Sequence, residues 1–215
     1  MIRKLSLLML SLLLMTTVGV VSYSKEYKMK VKITTAKPIV GKKVFYFIQS
    51  IHAEKGEGAL LPAYRTDGST KLGGEYQDEQ TQQGRLLEKS SDEHSIELTQ
   101  YFAPMDPSIN VVLDAQAKGE SIKIWRVIVD DSVKTQIGED PNKKDAYPAK
   151  FGYAKITDDV EFNDGVEEFV ELSYTAGIVG RLQDGKFPLS AEELAVLNNI
   201  YAYQNPGETT GDYDN

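Results

Sequence analysis

The feature that most constrains the fold is a period-two pattern of apolar residues, which recurs in short segments separated by turn residues. Residues 44–49 are apolar at nearly every position, and residues 121–130 are rich in β-branched residues around the only tryptophan, Trp125. Such patterns are typical of β-strands, and a strand that is apolar on both faces is expected near the centre of a sheet. Further strands are predicted at 94–102, 150–160 and 166–175. No alternation of strands with helices is present, so the sequence predicts a mainly β fold.

Two helices interrupt the strands, which makes the class α+β. The first has Asp106 as its N-cap, Pro107 at the first helical position and Gly119 just past its end. Its buried face is predicted to carry Ile109, Val112, Leu113 and Ala117. The second helix is predicted within residues 189–204, because Ser190 and Glu193 have the spacing of a capping box and Asn205-Pro206-Gly207 would end it.

Two long polar segments, residues 62–93 and 131–149, contain few large apolar residues and are predicted to be loops. Loops longer than about 12 to 15 residues are uncommon in compact domains and usually serve binding or assembly. Residues 205–215 form a polar, acidic C-terminal segment, which we interpret as a flexible tail.

The first 24 residues have the pattern of a secretory signal. Arg3 and Lys4 precede an uncharged apolar stretch, and Ser22 and Ser24 supply the small residues expected before a cleavage site after Ser24. The alternative is a membrane anchor, because the uncharged stretch approaches the ~20 apolar residues that span a bilayer. No other segment is as apolar, so no stable membrane association is expected once the leader is removed.

The charge of the chain is acidic. Its formal net charge at pH 7 is −8, and removal of the two basic residues of the leader would make it −10. Tight binding of nucleic acid depends on clustered Lys and Arg, so this balance argues against it, but not against a surface past which DNA slides. The acidic pairs Asp130-Asp131 and Asp158-Asp159 are interpreted as solvated strand ends. The sequence has no cysteine, which excludes disulfides and thiol chemistry.

No pattern of catalytic, cofactor-binding or metal-binding residues is present. His52 and His94 lack thiol partners and paired spacing, so no zinc site is predicted. Residues 158–168 resemble a calcium loop at Asp164-Gly165, but Val160 and Phe162 stand where such a loop needs oxygen ligands. We therefore expect no enzymatic activity, no cofactor and no metal.

Several short motifs follow one another along the second half of the chain. They are Asp106-Pro107, Ile122-Lys-Ile-Trp125, Tyr147-Pro-Ala-Lys150-Phe-Gly-Tyr153, Leu172-Ser-Tyr174, Gln183-Asp184-Gly185, and Ser190 with Glu193. In their order and spacing they resemble the major tail protein, or tail-tube protein, of long-tailed non-contractile phages that infect Gram-positive bacteria. A looser likeness extends upstream, so the resemblance covers most of residues 33–204.

The resemblance implies an antiparallel β-sandwich or barrel flanked by helix, formed by residues 29–204. It implies a structural virion protein of a phage or prophage that stacks as hexameric rings into a hollow conduit for genome delivery, assembled in the host cytoplasm. The implied partners are further copies of the chain, the tape-measure protein and other tail proteins, with DNA passing without specific binding. Residues 62–93 and 131–149, with the N-terminal arm, are the predicted stacking elements.

The leader does not fit this family, because tail proteins are not exported. One interpretation is that the leader is an upstream extension and that Met29 is the true start. The alternative function is a secreted β-sandwich module on the surface of a Gram-positive bacterium, in which some of the 12 tyrosines and the long loops contact glycan or protein.

Overall fold

The computed structural model describes residues 36–139 and 143–198. Within them the strands are β1 (Val44–Ser50), β2 (Arg65–Thr81), β3 (Gly84–Tyr101), β4 (Ser121–Ile128), β5 (Thr135–Ile137), β6 (Lys144–Ile156), β7 (Glu161–Asn163), β8 (Glu171–Ile178) and β9 (Gln183–Leu189). The helices are α1 (Pro107–Lys118) and α2 (Ala191–Asn198), and a 3₁₀ turn, Gly41–Lys43, precedes β1. The predicted leader, the Met29 start, the helix stop at 205–207 and the acidic tail lie outside the described residues.

The strands join in one antiparallel sheet with the order β1–β4–β6–β8–β3–β2. Strands β5 and β9 also pair with β6, and β7 pairs with β8. The 13-residue strand β6 is the centre of this arrangement, because β4, β5, β8 and β9 all pair with parts of it. The predicted mainly β architecture with two helices is confirmed.

A first core lies between the sheet and α1, and it follows from the alternation along the strands. In β8, for example, Leu172, Tyr174 and Ala176 are buried while the residues between them are not. The buried members of this core are Tyr46, Ile48, Ile96, Leu98, Ile109, Val112, Ala115, Ile122, Ile124, Ala154, Leu172, Tyr174, Ala176 and Leu182.

A second core lies on the opposite face of β1 and β4. Its buried members are Phe47, Val127, Val129, Tyr147, Ala149 and Leu189, with Phe45, Trp125, Phe187, Leu194 and Leu197 packed against them. Strand β1 therefore contributes side chains to both cores, which explains why Tyr46, Phe47 and Ile48 are buried consecutively. The prediction that β1 is apolar on both faces is confirmed.

The prediction that β1 is central in the sheet is wrong. Strand β1 pairs with β4 on one side and has only an isolated bridge, between Ile48 and Leu60, on the other. Both of its faces are covered because side chains of β9 and α2 in the second core pack against its second face. Burial of both faces therefore shows that other elements cover the strand from both sides. It does not show where the strand lies in the order of the sheet.

The sheet curls until its two end strands make side-chain contacts without pairing. The Tyr46 hydroxyl of β1 lies 3.2 Å from Thr70 Oγ1 of β2, and Arg65 donates from Nη2 to the Val44 carbonyl at 2.9 Å. The approach needs a glycine on β2, since a Cβ on Gly68 would lie 2.9 Å from the Tyr46 ring. The architecture is therefore an incompletely closed barrel.

Helix α1 forms as predicted. The Asp106 carboxylate accepts from Ser108 N, Pro107 occupies the first turn, and Gly119 ends the helix in the left-handed conformation at φ 65°. The prediction of the buried face is wrong at one position, because Ala117 is exposed and Ala115 is buried instead. The face that packs on the sheet continues from Val112 to Ala115, because three-residue spacing keeps both on the same side of the helix.

The prediction that residues 62–93 are a loop is wrong. Most of this segment belongs to the β2–β3 hairpin, which turns through Gln82 and Gln83. The far half of the hairpin, residues 75–91, is exposed on both faces and is called the ribbon below. A strand that buries neither face shows no apolar alternation, so periodicity does not distinguish it from a loop.

Residues 131–149 are also more ordered than predicted. They contain β5 and the first residues of β6, which pair as Thr135 with Ala146 and Ile137 with Lys144. Tyr147 and Ala146 in this segment are buried. The loop prediction is therefore wrong for β5 and β6 and correct for the turn at 131–134, while residues 140–142 lie outside the described residues.

Tyr174 yields a test of the first core. Its hydroxyl is buried and has no hydrogen-bond partner among the described residues. The pKa of the phenol is raised, mainly by burial and to a lesser extent by the nearby Asp106 charge. A buried hydroxyl without a partner costs about 1–3 kcal/mol. We expect Tyr174→Phe to unfold at the same denaturant concentration as the wild type or a higher one.

The matched control is Tyr46→Phe, which removes a hydroxyl that contacts Thr70 Oγ1. It should lower the free energy of unfolding by about 1 kcal/mol. A clear loss of stability in Tyr174→Phe would contradict the prediction, because it would show that the hydroxyl has a partner such as a buried water.

Candidate assembly surfaces

Most of the predicted motif residues lie together around β6 and the second core. Trp125 of β4 contacts the Phe151 ring at 5.0 Å between centroids and the Phe187 ring at 6.1 Å. Tyr147 is buried and lies opposite Phe187 in the β6–β9 pair, while Tyr153 is half exposed and packs edge-on against Phe151. These aromatic side chains hold β9 against the sheet.

The Gln183-Asp184-Gly185 motif forms the start of β9. Gln183 pairs with Phe151, Asp184 with Lys150 and Gly185 with Ala149. Lys150 Nζ lies 2.5 Å from Asp184 Oδ1, so the two charged motif residues form an ion pair across the strands. The motif therefore fixes the register of β9 on β6.

The predicted capping box at the start of α2 is present. Ser190 N donates to Glu193 Oε2 at 2.7 Å, and Glu193 N donates to Ser190 Oγ at 3.1 Å. The bond from the Ser190 backbone, and after it the Ser190 hydroxyl, holds the pKa of the Glu193 carboxyl below its usual range. The box starts α2 directly after β9, so Leu194 and Leu197 reach the second core.

Asp106 and Pro107 lie apart from the other motif residues, at the start of α1. The Asp106 carboxylate is buried and accepts three hydrogen bonds, from Ser108 N at 2.9 Å, Ala63 N at 2.9 Å and Gln100 Nε2 at 3.2 Å. Asp106 therefore ties α1 to β3 and to the segment before β2, which makes it structural.

Each of the two histidines contacts a residue from a distant part of the chain. His52 Nε2 lies 2.9 Å from Glu120 Oε2, and His94 Nδ1 accepts from Leu182 N at 2.9 Å. In residues 36–139 and 143–198, no group of three or more His, Cys, Asp or Glu is placed to hold a metal ion. Neither helix in these ranges is long and apolar enough to cross a membrane.

Large apolar side chains are exposed on the hairpin. Leu86 and Leu87 are 61% and 55% exposed and, being adjacent in β3, point to opposite faces of the ribbon. Tyr76 on the neighbouring strand is 58% exposed. The ribbon bends at a bulge beside Gly74, where a Cβ would lie 2.3 Å from the Ser91 carbonyl oxygen. Apolar groups exposed together on a projecting hairpin indicate a surface for protein contact.

An acidic surface lies on the polar face of β3 and β8 and continues along β7. An open groove of about 610 Å³ is lined there by Glu97, Asp158, Asp159 and Glu161, together with Thr and Ser hydroxyls. Next to it, Phe162, Val166 and Phe169 are exposed by 42%, 102% and 77%. The prediction that Asp158-Asp159 is solvated is consistent with this groove. The exposed apolar residues beside the groove were not predicted.

The other acidic pair is not simply solvated. Asp130 pairs with Lys43 and accepts from Ser132 N at 2.8 Å and Ser132 Oγ at 2.5 Å, whereas the Asp131 side chain is 92% exposed. The Lys43 contact is the largest cause of a pKa of the Asp130 carboxyl well below its usual range. Asp130 thus joins the start of β1 to the turn after β4.

Asp130 should therefore add stability that depends on pH. Because folding lowers its pKa, its contribution is complete above the usual carboxyl pKa of 3.8 and is lost as the pH falls below that value. We expect Asp130→Asn to unfold at less urea than the wild type at pH 7, with the difference shrinking at pH 3. Asp131→Asn is the control and should match the wild type at both pH values. A difference that is constant with pH would contradict the assignment.

Comparison with known proteins decides the family. No family model matches the sequence. Tail tube protein gp17.1* of Bacillus phage SPP1 is 41% identical over 176 residues, which span 81% of this chain and 62% of that protein's length. The SPP1 tail tube structure from solid-state NMR and cryo EM superposes with a TM-score of 0.58 at 35% identity, over 81% of this chain and 96% of that one.

This chain belongs to the phage tail tube protein family. The family predicted from the order of motifs between Asp106 and Glu193 is thereby confirmed. A tail structure from an empty gene transfer agent particle also aligns, over 68% of this chain and 98% of that one, at 15% identity and a TM-score of 0.49. That weaker likeness adds nothing to the assignment.

Proposed function

We propose that this tail tube protein is a structural subunit of a phage tail, stacking as hexameric rings into a hollow tube that conducts the genome into the host. The observation that carries the proposal is the 35% identity with the SPP1 tail tube chain over 96% of that chain's length. In this proposal the protein resides in the virion tail after assembly in the host cytoplasm, and its main partner is itself.

The exposed hairpin supports self-assembly. A projecting ribbon with Tyr76, Leu86 and Leu87 in solvent is an aggregation hazard for a monomer, and a symmetric assembly removes the hazard by covering these side chains. The ribbon falls within residues 62–93, one of the two segments predicted to mediate stacking. Residues 131–149 remain the second predicted stacking element, together with the N-terminal arm.

The acidic balance supports a conduit that does not retain DNA. A formal charge of −8 repels phosphates, so DNA would pass a wall of such subunits without specific binding. The tape-measure protein and other tail proteins are the remaining proposed partners. We further propose that the chain has no enzymatic activity, since its motif residues pack in the scaffold around β6 and α1.

Electron microscopy of the purified protein tests the proposal. We expect negative-stain images of the full chain at high concentration to show hollow tubes or six-fold rings. A protein that stays strictly monomeric under the same conditions would overturn the proposed function. A gel-shift measurement with duplex DNA should show no specific binding by the assembled tubes.

A further inference from the structure

Strand β7 has one edge to which no described strand is paired. It pairs through Glu161–Ser173, Phe162–Leu172 and Asn163–Glu171 with β8, and no other strand of the described residues pairs with it. All three β7 residues are exposed. A free strand edge presents backbone N–H and C=O groups that can bind an added strand.

The two faces at this edge differ in chemistry. Phe162 lies on the same face as buried Leu172 and contacts the Phe102 ring at 5.6 Å, so one face is apolar. Glu161 lies on the opposite face, which continues into the acidic groove at Asp159. A strand that docks here must therefore alternate apolar residues with basic ones.

No basic side chain of the described residues neutralises the carboxylates around this edge. Residues 158–171 contain seven acidic residues and no Lys or Arg. None of the seven forms an ion pair with a described basic residue. Their mutual repulsion would be relieved by a positively charged partner.

The chain itself contains a segment with the required pattern. Residues 28–33, which lie outside the described residues, read Lys-Met-Lys-Val-Lys-Ile. In an extended conformation this sequence would direct Met29, Val31 and Ile33 to one side and the three lysines to the other. It is the most basic stretch of an otherwise acidic chain, and its alternation matches both faces of the β7 edge.

We propose that residues 28–33 of a second copy of this chain dock on the β7 edge as an added strand, with their lysines against Asp159 and Glu161 and their apolar side chains beside Phe162. The inference rests on the proposed function, because head-to-tail rings and stacks require two unlike surfaces that complement each other. The two complementary surfaces are then residues 28–33 of one copy and the β7 edge of the next.

Cross-linking tests which segment occupies the edge. Because the chain has no cysteine, Thr34→Cys and Asn163→Cys can each supply a single thiol, in separate full-length chains. We expect the mixture, treated with a short bis-maleimide linker, to yield the mixed dimer as measured by intact mass. Asp114→Cys, at an exposed position on α1, is the control partner and should yield about tenfold less. Equal yields with both partners would overturn the inference.

Charge reversal tests the complementarity. The edge variant Asp159→Lys with Glu161→Lys, and the segment variant Lys30→Glu with Lys32→Glu, should each assemble about tenfold less than the wild type, because like charges then face each other. Mixing the two variants should restore assembly, since every contact between unlike copies is again complementary. Reversal at two exposed acidic residues outside the proposed stacking segments, Glu54→Lys with Asp114→Lys, is the control and should leave assembly unchanged.

The outcomes separate this inference from the proposed function. If the wild type forms tubes and both variants assemble equally well, the inference fails and the proposed function stands. If the variants recover only when both reversals are in one chain, the segment docks on its own copy and the second-copy assignment fails. If the wild type does not assemble, the proposed function fails, and the cross-link yield in the unassembled protein still decides the inference.

Discussion

Shortening the ribbon should abolish tube formation while leaving the protomer folded. Deletion of residues 77–80 and 85–88 removes four residues from each strand, so the turn pair Thr81–Gly84 takes the place of Gln77–Glu88 in the same register. All the deleted residues are exposed, so neither core is altered. We expect an unchanged urea midpoint and circular dichroism spectrum, and no tubes by negative-stain electron microscopy.

The expected size of the effect follows from the exposed leucines. Burying one leucine is worth about 2 kcal/mol, so losing Leu86 and Leu87 should weaken each contact between copies by about a hundredfold or more. The double variant Leu86→Ser with Leu87→Ser tests this without a deletion. Val179→Ser, at a position that is 60% exposed outside the hairpin, is the matched control and should still assemble. Tubes from the shortened protein would show that the ribbon is not a contact surface.

Replacing Asp106 should cause the largest loss of stability among single substitutions considered for this chain. Asp106→Ala removes the N-cap of α1 and leaves the half-buried Ala63 N–H and the buried Gln100 amide without their acceptor. A lost cap costs about 1 kcal/mol and each orphaned donor about 1–3 kcal/mol, for a total of about 4 kcal/mol. In a domain of this size that loss lowers the melting temperature by about 10 °C.

Asp106→Asn separates the two contributions. An asparagine can still cap α1 through its carbonyl oxygen, but its amide nitrogen cannot accept from Ala63 and Gln100. It should therefore lose about 3 kcal/mol where the alanine variant loses about 4 kcal/mol, measured by urea denaturation and calorimetry. Equal losses of stability in both variants would mean that the carboxylate acts only as the acceptor for Ala63 and Gln100. An unchanged stability of Asp106→Ala would contradict the role of this carboxylate.

Local patterns predicted the elements whose signals are carried by neighbouring residues. The cap, proline and glycine of α1 and the reciprocal bonds of Ser190 and Glu193 were all predicted and are present. Alternation predicted β4 and the buried side chains of β8. These features depend on contacts a few residues apart, so the order of residues is sufficient to specify them.

The wrong predictions have a common cause. Whether a segment is covered by distant parts of the chain cannot be read from its own residues. Residues 75–91 form strands although neither of their faces is covered, so they resembled a loop. Strand β1 resembled a central strand because β9 and α2, which follow it by more than 130 residues, cover its second face. The role of Asp130 was missed for the same reason, since its partner Lys43 lies 87 residues away.

The order of residues alone was sufficient to predict the mainly β class, the two helix starts, the acidic charge and the motifs that indicate the tail tube family. The folded arrangement was needed to show that the motif residues hold β9 against β6 and that a hairpin projects into solvent. It also showed that, among the described strands, β7 pairs with β8 alone and lies beside exposed aromatic residues. The reason is physical: hydrogen bonding and capping act between near neighbours, whereas strand order, layering and the edges left unpaired depend on which distant segments meet.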